Sequence, residues 1–181
     1  MTPVAHPRLP ANARLWGASR PGYPDVPATP RQIESAVREW VGAGVDVVVT
    51  LMEDEELARI CPGFLDAIRR HELESLHFPI RDFGAPEPNE ASAFCALVDD
   101  VRARLARGQG VLVHCNAGQG RTAVFLASLL KGCGHPGDAV EEIRRVYYGD
   151  AMRGVSQEAF VRKLAFGPNG RGPMDDGAGP A

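Results

Sequence analysis

Val111-Leu112-Val113-His114-Cys115-Asn116-Ala117-Gly118-Gln119-Gly120-Arg121-Thr122, followed by an apolar run from Ala123 to Leu130, decides how this chain is read. An apolar, β-branched run ends in a cysteine, five small or polar residues follow, and an arginine and a threonine open a helical pattern. Strand, tight loop and helix together aim successive backbone N–H groups at an anion and add the positive end of a helix dipole. A cysteine at the base of such a loop is stabilised as a thiolate, the nucleophilic form. The arginine returns to the mouth of the loop, where its planar fork can grip two phosphate oxygens. A Cys-x5-Arg spacing alone arises often by chance. Here it is joined by His114 before the cysteine, Gly118 and Gly120 within the loop, Thr122 after the arginine, and a strand and helix on either side. The competing reading is a buried cysteine that merely ends a core strand.

Bulk composition fits a globular domain. The chain has 181 residues, 44% of them hydrophobic, enough for one domain with a sizeable core. Twenty basic side chains against 23 acidic ones give a net charge of −3 with no basic block, which argues against nucleic acid as a partner. No apolar run approaches membrane-spanning length. Met1 to Ala13 is Pro-rich without the apolar core of a signal peptide, so a cytoplasmic location is expected. Cys61, Cys95, Cys115 and Cys133 have neither zinc-ligand spacing nor a secreted-type framework. The inferred chemistry calls for no metal or cofactor.

Periodicity divides the chain into an irregular Pro/Gly-rich lead-in (1–28), a catalytic domain (29–166) and a disordered tail (167–181). Leu15–Ser19 reads as a short strand inside the lead-in. Thr29-Pro30-Arg31-Gln32 is a capping box with proline at the first helical position, and it predicts a helix to Val41. Val45–Leu51 is a strand buried on both faces. Short helices over Glu53–Ile60 and Pro62–His71, a strand over Leu73–Ile80 and a long helix over Glu90–Arg107, capped near Asn89, precede the signature segment. Asp138 caps a helix to Tyr148, and Ser156 one to about Phe166. This alternation predicts an α/β domain, a central, mostly parallel sheet flanked by helices, with Cys115 beyond the carboxyl ends of the strands.

The segment around Cys115 resembles the His-Cys-x2-Gly-x2-Arg-Ser/Thr signature loop of protein tyrosine phosphatases. The region from about Leu15 to Leu164 resembles the small, atypical dual-specificity branch of that superfamily. Pro79-Ile80-Arg81-Asp82-Phe83-Gly84-Ala85-Pro86 is similar to that branch's general-acid loop, Pro-Ile-x-Asp-x-x-x-Pro. Val45–Leu51 and Asp138–Val146 resemble its buried strand and the helix after its signature helix. The resemblance implies a dual-specificity-phosphatase-like fold and hydrolysis of phosphotyrosine in proteins, with phosphoserine and phosphothreonine as further substrates of the same branch. The alternative keeps the chemistry but changes the substrate to inositol phosphates, phosphoinositides or other small phosphate esters. Relatives acting on polyphosphorylated lipids often place lysines in the loop, and this loop has none. A binding-only pseudophosphatase usually lacks the Cys, the Arg or the Asp, all of which this chain retains. A rhodanese-like sulfurtransferase would need neither Asp82 nor Thr122.

Each candidate residue then has an expected task. Cys115 is the nucleophile, and the backbone of Asn116, Ala117, Gly118, Gln119 and Gly120, with Arg121, binds the phosphate and its transition state. His114 orders the loop; a general-base role is the rival, which a dipole-stabilised thiolate does not require. Thr122 is placed to hydrogen-bond the departing thiolate or to cap the helix. Asp82 is a turn aspartate on the residues alone, and the general acid by resemblance. Gln157 resembles the late glutamine that positions hydrolytic water, against a plain surface glutamine. Relatives' Pro-Gly-Ser run before it is here Arg153-Gly154-Val155-Ser156, and Ala123 replaces their glycine. Glu53 stands either behind Arg121 or in solvent. Cys61, Cys95 and Cys133 are either resolving thiols for Cys115 or buried small hydrophobes.

Overall fold

Every residue of Gly110–Cys115 is buried, and that strand lies in the middle of a five-stranded sheet. The computed structural model describes residues 1–167. The strands are β1 (Thr2–Pro3), β2 (Arg14–Ser19), β3 (Val47–Thr50), β4 (Glu74–His77) and β5 (Gly110–Cys115), in spatial order β1-β2-β5-β3-β4. β2, β5, β3 and β4 run parallel, and only the two-residue β1 is antiparallel. A mostly parallel sheet needs crossover helices, and the chain supplies α1 (Pro30–Gly42), α2 (Asp54–Ile60), α3 (Phe64–Arg70), α4 (Ala91–Ala106), α5 (Arg121–Gly132), α6 (Ala139–Val146) and α7 (Val155–Lys163). None is long and apolar enough to cross a membrane among the described residues.

Local chemistry explains the boundaries. The Thr29–Gln32 capping box opens α1, and the Asp138 carboxylate accepts the Val140 N–H to open α6. α5 is buried from Arg121 to Leu130 on every side, as its nearly unbroken apolar sequence requires. Phe94 of α4, Phe125 of α5 and Phe160 of α7 meet edge to face and tie these helices together. Trp40 of α1 and Phe64 of α3 pack against His114 of β5.

Several boundaries differ from expectation. Ser156 does not cap α7: Gly154 occupies the N-cap and Ser156 lies inside the helix. Asn89 does not cap α4; it sits in a 3-10 turn, Pro88–Glu90, whose Glu87 N–H is held by the Glu90 carboxylate at 2.8 Å. β4 stops at His77, short of Pro79, which has no N–H for a ladder. Residues 1–28, expected to be irregular around one short strand, contribute β2 to the parallel sheet in register with β5, Ser19 opposite Cys115. Val4 and Leu9 join the core. The expected disorder of 167–181 falls, from residue 168 on, outside the described residues.

Candidate active site

β5 delivers Cys115, 3% exposed, to the carboxyl edge of the sheet, and the loop 116–120 curls over it into α5. The Gly118 N–H points to Sγ at 3.3 Å. Three loop carbonyls are held from outside. Asn116 O accepts the Arg20 N–H at 3.0 Å, Gly118 O accepts the Tyr147 hydroxyl at 2.7 Å, and Gln119 O accepts the Met152 N–H at 3.1 Å. A planar trans peptide carries its C=O and N–H on opposite sides, so each carbonyl pinned outward turns the next N–H inward. That is how a chain builds an oxyanion cradle. Gly118 adopts φ +77°, and a Cβ there would lie 2.7 Å from the Ala18 backbone, so space and conformation both require glycine.

Arg121 opens α5 and is 1% exposed. Nη1 donates to Glu56 Oε2 at 2.7 Å and to Ile80 O at 3.0 Å; Nη2 reaches Glu56 Oε1 at 2.9 Å and Asp82 Oδ1 at 2.9 Å. Burial opposes its charge, but the paired bonds to Glu56 and the nearby Cys115 and Asp82 hold its pKa above the ordinary value. The residue behind the arginine is therefore Glu56, not Glu53. On α2, Glu56 shares the inward side with Leu57 and Ile60, whereas Glu53 stands exposed at the N-cap and lines the cleft.

His114 is fully buried, with Nε2 2.9 Å from Thr50 Oγ1 and Nδ1 3.4 Å from Cys115 O. Burial pushes its pKa down to about 3, so the imidazole is neutral, with the network placing its proton on Nδ1. This is the geometry of a loop-ordering residue. The Thr122 hydroxyl is buried and finds no hydrogen-bond partner among the described residues, neither the thiolate nor a helix-capping N–H.

Asp82 is half exposed on the loop between β4 and α4, and Phe83 beside it takes φ +58° and is 83% exposed. Gln157 is not on the surface. It is 3% exposed, and its Nε2 donates to Gly84 O of the Asp82 loop at 2.9 Å. The same amide abuts Gly120, where a Cβ would come within 2.9 Å of Nε2. Cys115, Arg121, Asp82, Thr122, His114 and Gln157 thus converge on one edge of the sheet. The other cysteines are free, and burial raises Cys61 and Cys95 to about 11 and also raises Cys133. They are protonated small hydrophobes, poorly suited to act as resolving thiols.

The profile of one family, Tc-R-P, described as "Polymorphic toxin system, DSP-PTPase phosphatase", matches residues 24–135, more than half of the chain. The chain belongs to that family. That places it in the cysteine-based phosphatase superfamily, in the atypical dual-specificity branch. Cyclin-dependent kinase inhibitor 3 of Sus scrofa is 24% identical over 138 residues, which are 74% of this chain and 64% of that protein. The chain thus spans slightly less than two thirds of the length of this relative. The fold is similar to that of kinase associated phosphatase with its catalytic cysteine replaced by serine, with TM-score 0.69, 20% identity, and 81% and 82% of the two chains covered. It is also similar to Tk-PTP in its active form, with TM-score 0.65, 25% identity, and 87% and 96% covered.

Three supports of this phosphatase site escape a reading of the sequence. Arg20, just past β2, is 2% exposed and holds Asn116 Oδ1 from Nε at 3.0 Å while bonding the carbonyls of Pro21 and Asp25. Its signal was the strand Leu15–Ser19, whose end lies beside the signature loop once the two pair in parallel. Tyr147 braces Gly118 O, and burial, helped by Cys115, keeps its phenol protonated. Glu56 lies one helical turn beyond Glu53. A cleft of about 720 Å³ opens beside Asp82 and Asn116, lined also by Glu53, Asp54, Glu55, Glu56, Arg59 and Pro79.

Proposed function

We propose that this phosphatase hydrolyses phosphotyrosine in proteins through a cysteinyl-phosphate intermediate, with phosphoserine and phosphothreonine as secondary substrates. The observation that carries the mechanism is the convergence of Cys115 Sγ, a loop with its carbonyls pinned outward, and an Arg121 clamped by Glu56 within 2.9 Å of Asp82. Sγ attacks phosphorus, the ester P–O bond breaks, and Asp82 gives its proton to the leaving oxygen. Arg121 and the loop N–H groups carry the charge on the equatorial oxygens. Water then attacks phosphorus as the S–P bond breaks. Asp82, now a carboxylate, takes the proton of that water, and the unpartnered Thr122 hydroxyl serves the departing thiolate.

Charge supports protein over polyphosphorylated substrates. Glu53, Asp54, Glu55 and Asp82 line the cleft against Arg59 alone, Glu56 being taken up by Arg121. A second or third phosphate there would face carboxylates, whereas lysine or arginine beside a phosphotyrosine would be attracted. We place the activity in the cytosol, where the thiol stays reduced. The experiment compares kcat/KM for phosphotyrosyl peptides with basic and acidic flanks, and for inositol phosphates and phosphoinositide vesicles. The reading predicts highest values for basic-flanked peptides, with a preference that weakens as salt rises. Faster turnover of an inositol phosphate or phosphoinositide would replace the protein substrate with the alternative.

A further inference from the structure

We propose that Gln157 is a positioning residue that clasps the general-acid loop onto the phosphate loop, and so governs protonation of the leaving group in the first step. This rests on the reading of Asp82 as the acid. Among the described residues, the segment from Arg81 to Ala85 is tied to the rest of the molecule by two side-chain contacts, Asp82–Arg121 and Gln157–Gly84 O. Phe83 turns its ring into solvent and its backbone into a region that non-glycine residues rarely occupy.

The two contacts have different fates when a phosphate binds. Arg121 has five N–H donors; its Nη groups donate to Glu56 twice and to Ile80 O, and Nη2 also lies 2.9 Å from Asp82 Oδ1 in an ion pair. Phosphate oxygens that take the guanidinium in a two-pronged grip must draw on Nε–H and displace Asp82 from Nη2. The first anchor of the acid loop is then exchanged for the substrate at the moment when Asp82 has to stay close. The bond from Gln157 Nε2 to Gly84 O does not involve the phosphate and persists. The amide is wedged in place to make it. A Cβ on Gly120 would sit 2.9 Å from Nε2, and one on Gly154 would sit 3.5 Å from Oε1 and 3.3 Å from Phe83 O. Gln157 thus spans the residue before Arg121 and the residues after Asp82.

The test is a series of aryl phosphates, from 2,4-dinitrophenyl to phenyl phosphate, hydrolysed by wild type, Gln157→Met, Asp82→Asn and the double variant. kcat/KM covers steps only up to formation of the phosphoenzyme, so a glutamine that merely placed water for the second step would leave it unchanged. The clasp predicts that Gln157→Met lowers kcat/KM about 10-fold for phenyl phosphate, a part of the 10²–10⁴-fold worth of a general acid, and hardly at all for the dinitrophenyl ester. It also predicts no further loss in the Asp82→Asn background. Unchanged kcat/KM with slower phosphoenzyme breakdown, or an equal loss for every leaving group, would overturn the clasp. A flat Asp82→Asn series would overturn the acid reading beneath it.

Discussion

Arg121 has to be charged, immobile and buried at once, and each demand falls on a named neighbour. A guanidinium removed from water is costly unless its donors are matched, and the parallel bonds to the Glu56 carboxylate match two of them. Glu56→Ala leaves that charge underpaired, and the expected loss is about 3–5 kcal/mol of stability. Because the fork also loses its aim, kcat/KM for p-nitrophenyl phosphate should fall about 100-fold. Urea denaturation and steady-state kinetics check the two effects, and wild-type activity in the variant would contradict the clamp. The acidic partner was not readable from the sequence, because Glu53, Asp54, Glu55 and Glu56 are adjacent carboxylates and only the register of α2 selects the one that turns inward. Gln157 was legible through family resemblance alone. Its burial depends on α7 docking beside the acid loop, which no local pattern encodes.

At the scale of elements, β5 and its flanks follow from local chemistry, and the supports around them follow from tertiary approach. The apolar run, the glycines and the buried α5 are written in consecutive residues. Arg20 and Tyr147 reach the loop from β2 and from the segment after α6, so they became visible only once the sheet order was known. β5 also carries the cost of a buried imidazole. An unfolded chain protonates His114 near pH 6.5, whereas the folded protein resists until about 3. Between those values the unfolded state binds a proton that the folded state refuses, so stability is full above about 6.5 and falls as pH drops. The expected slope is at most about 1.4 kcal/mol per pH unit. Glu34, held down to about 2 chiefly by its bond with His71, adds a loss in the same direction only below its ordinary 4.5. Denaturation at pH 6.5 and 5.0 therefore isolates the imidazole, with a drop of about 1–2 kcal/mol expected. Equal stabilities would mean that His114 takes up its proton within the folded protein.

At the scale of the whole molecule, the parallel sheet gathers the ends of β2, β3, β4 and β5 along one edge, and the chemistry collects there. β2 brings Arg20, the chain after β3 brings Glu56, the chain after β4 brings Asp82, and β5 brings Cys115 and Arg121. The α/β class and the mostly parallel sheet were legible, since strands alternating with helices leave few other architectures. The strand over Leu15–Ser19 was legible as well, but its place in the sheet was not, because only its parallel pairing with β5 assigns it there. The proposed mechanism requires one thiolate to form a covalent bond with the phosphorus of the substrate. Hydrolysis of p-nitrophenyl phosphate in EDTA by wild type and Cys115→Ser measures it most directly. Turnover should persist in the chelator and disappear with the substitution. Activity that survives Cys115→Ser would contradict it.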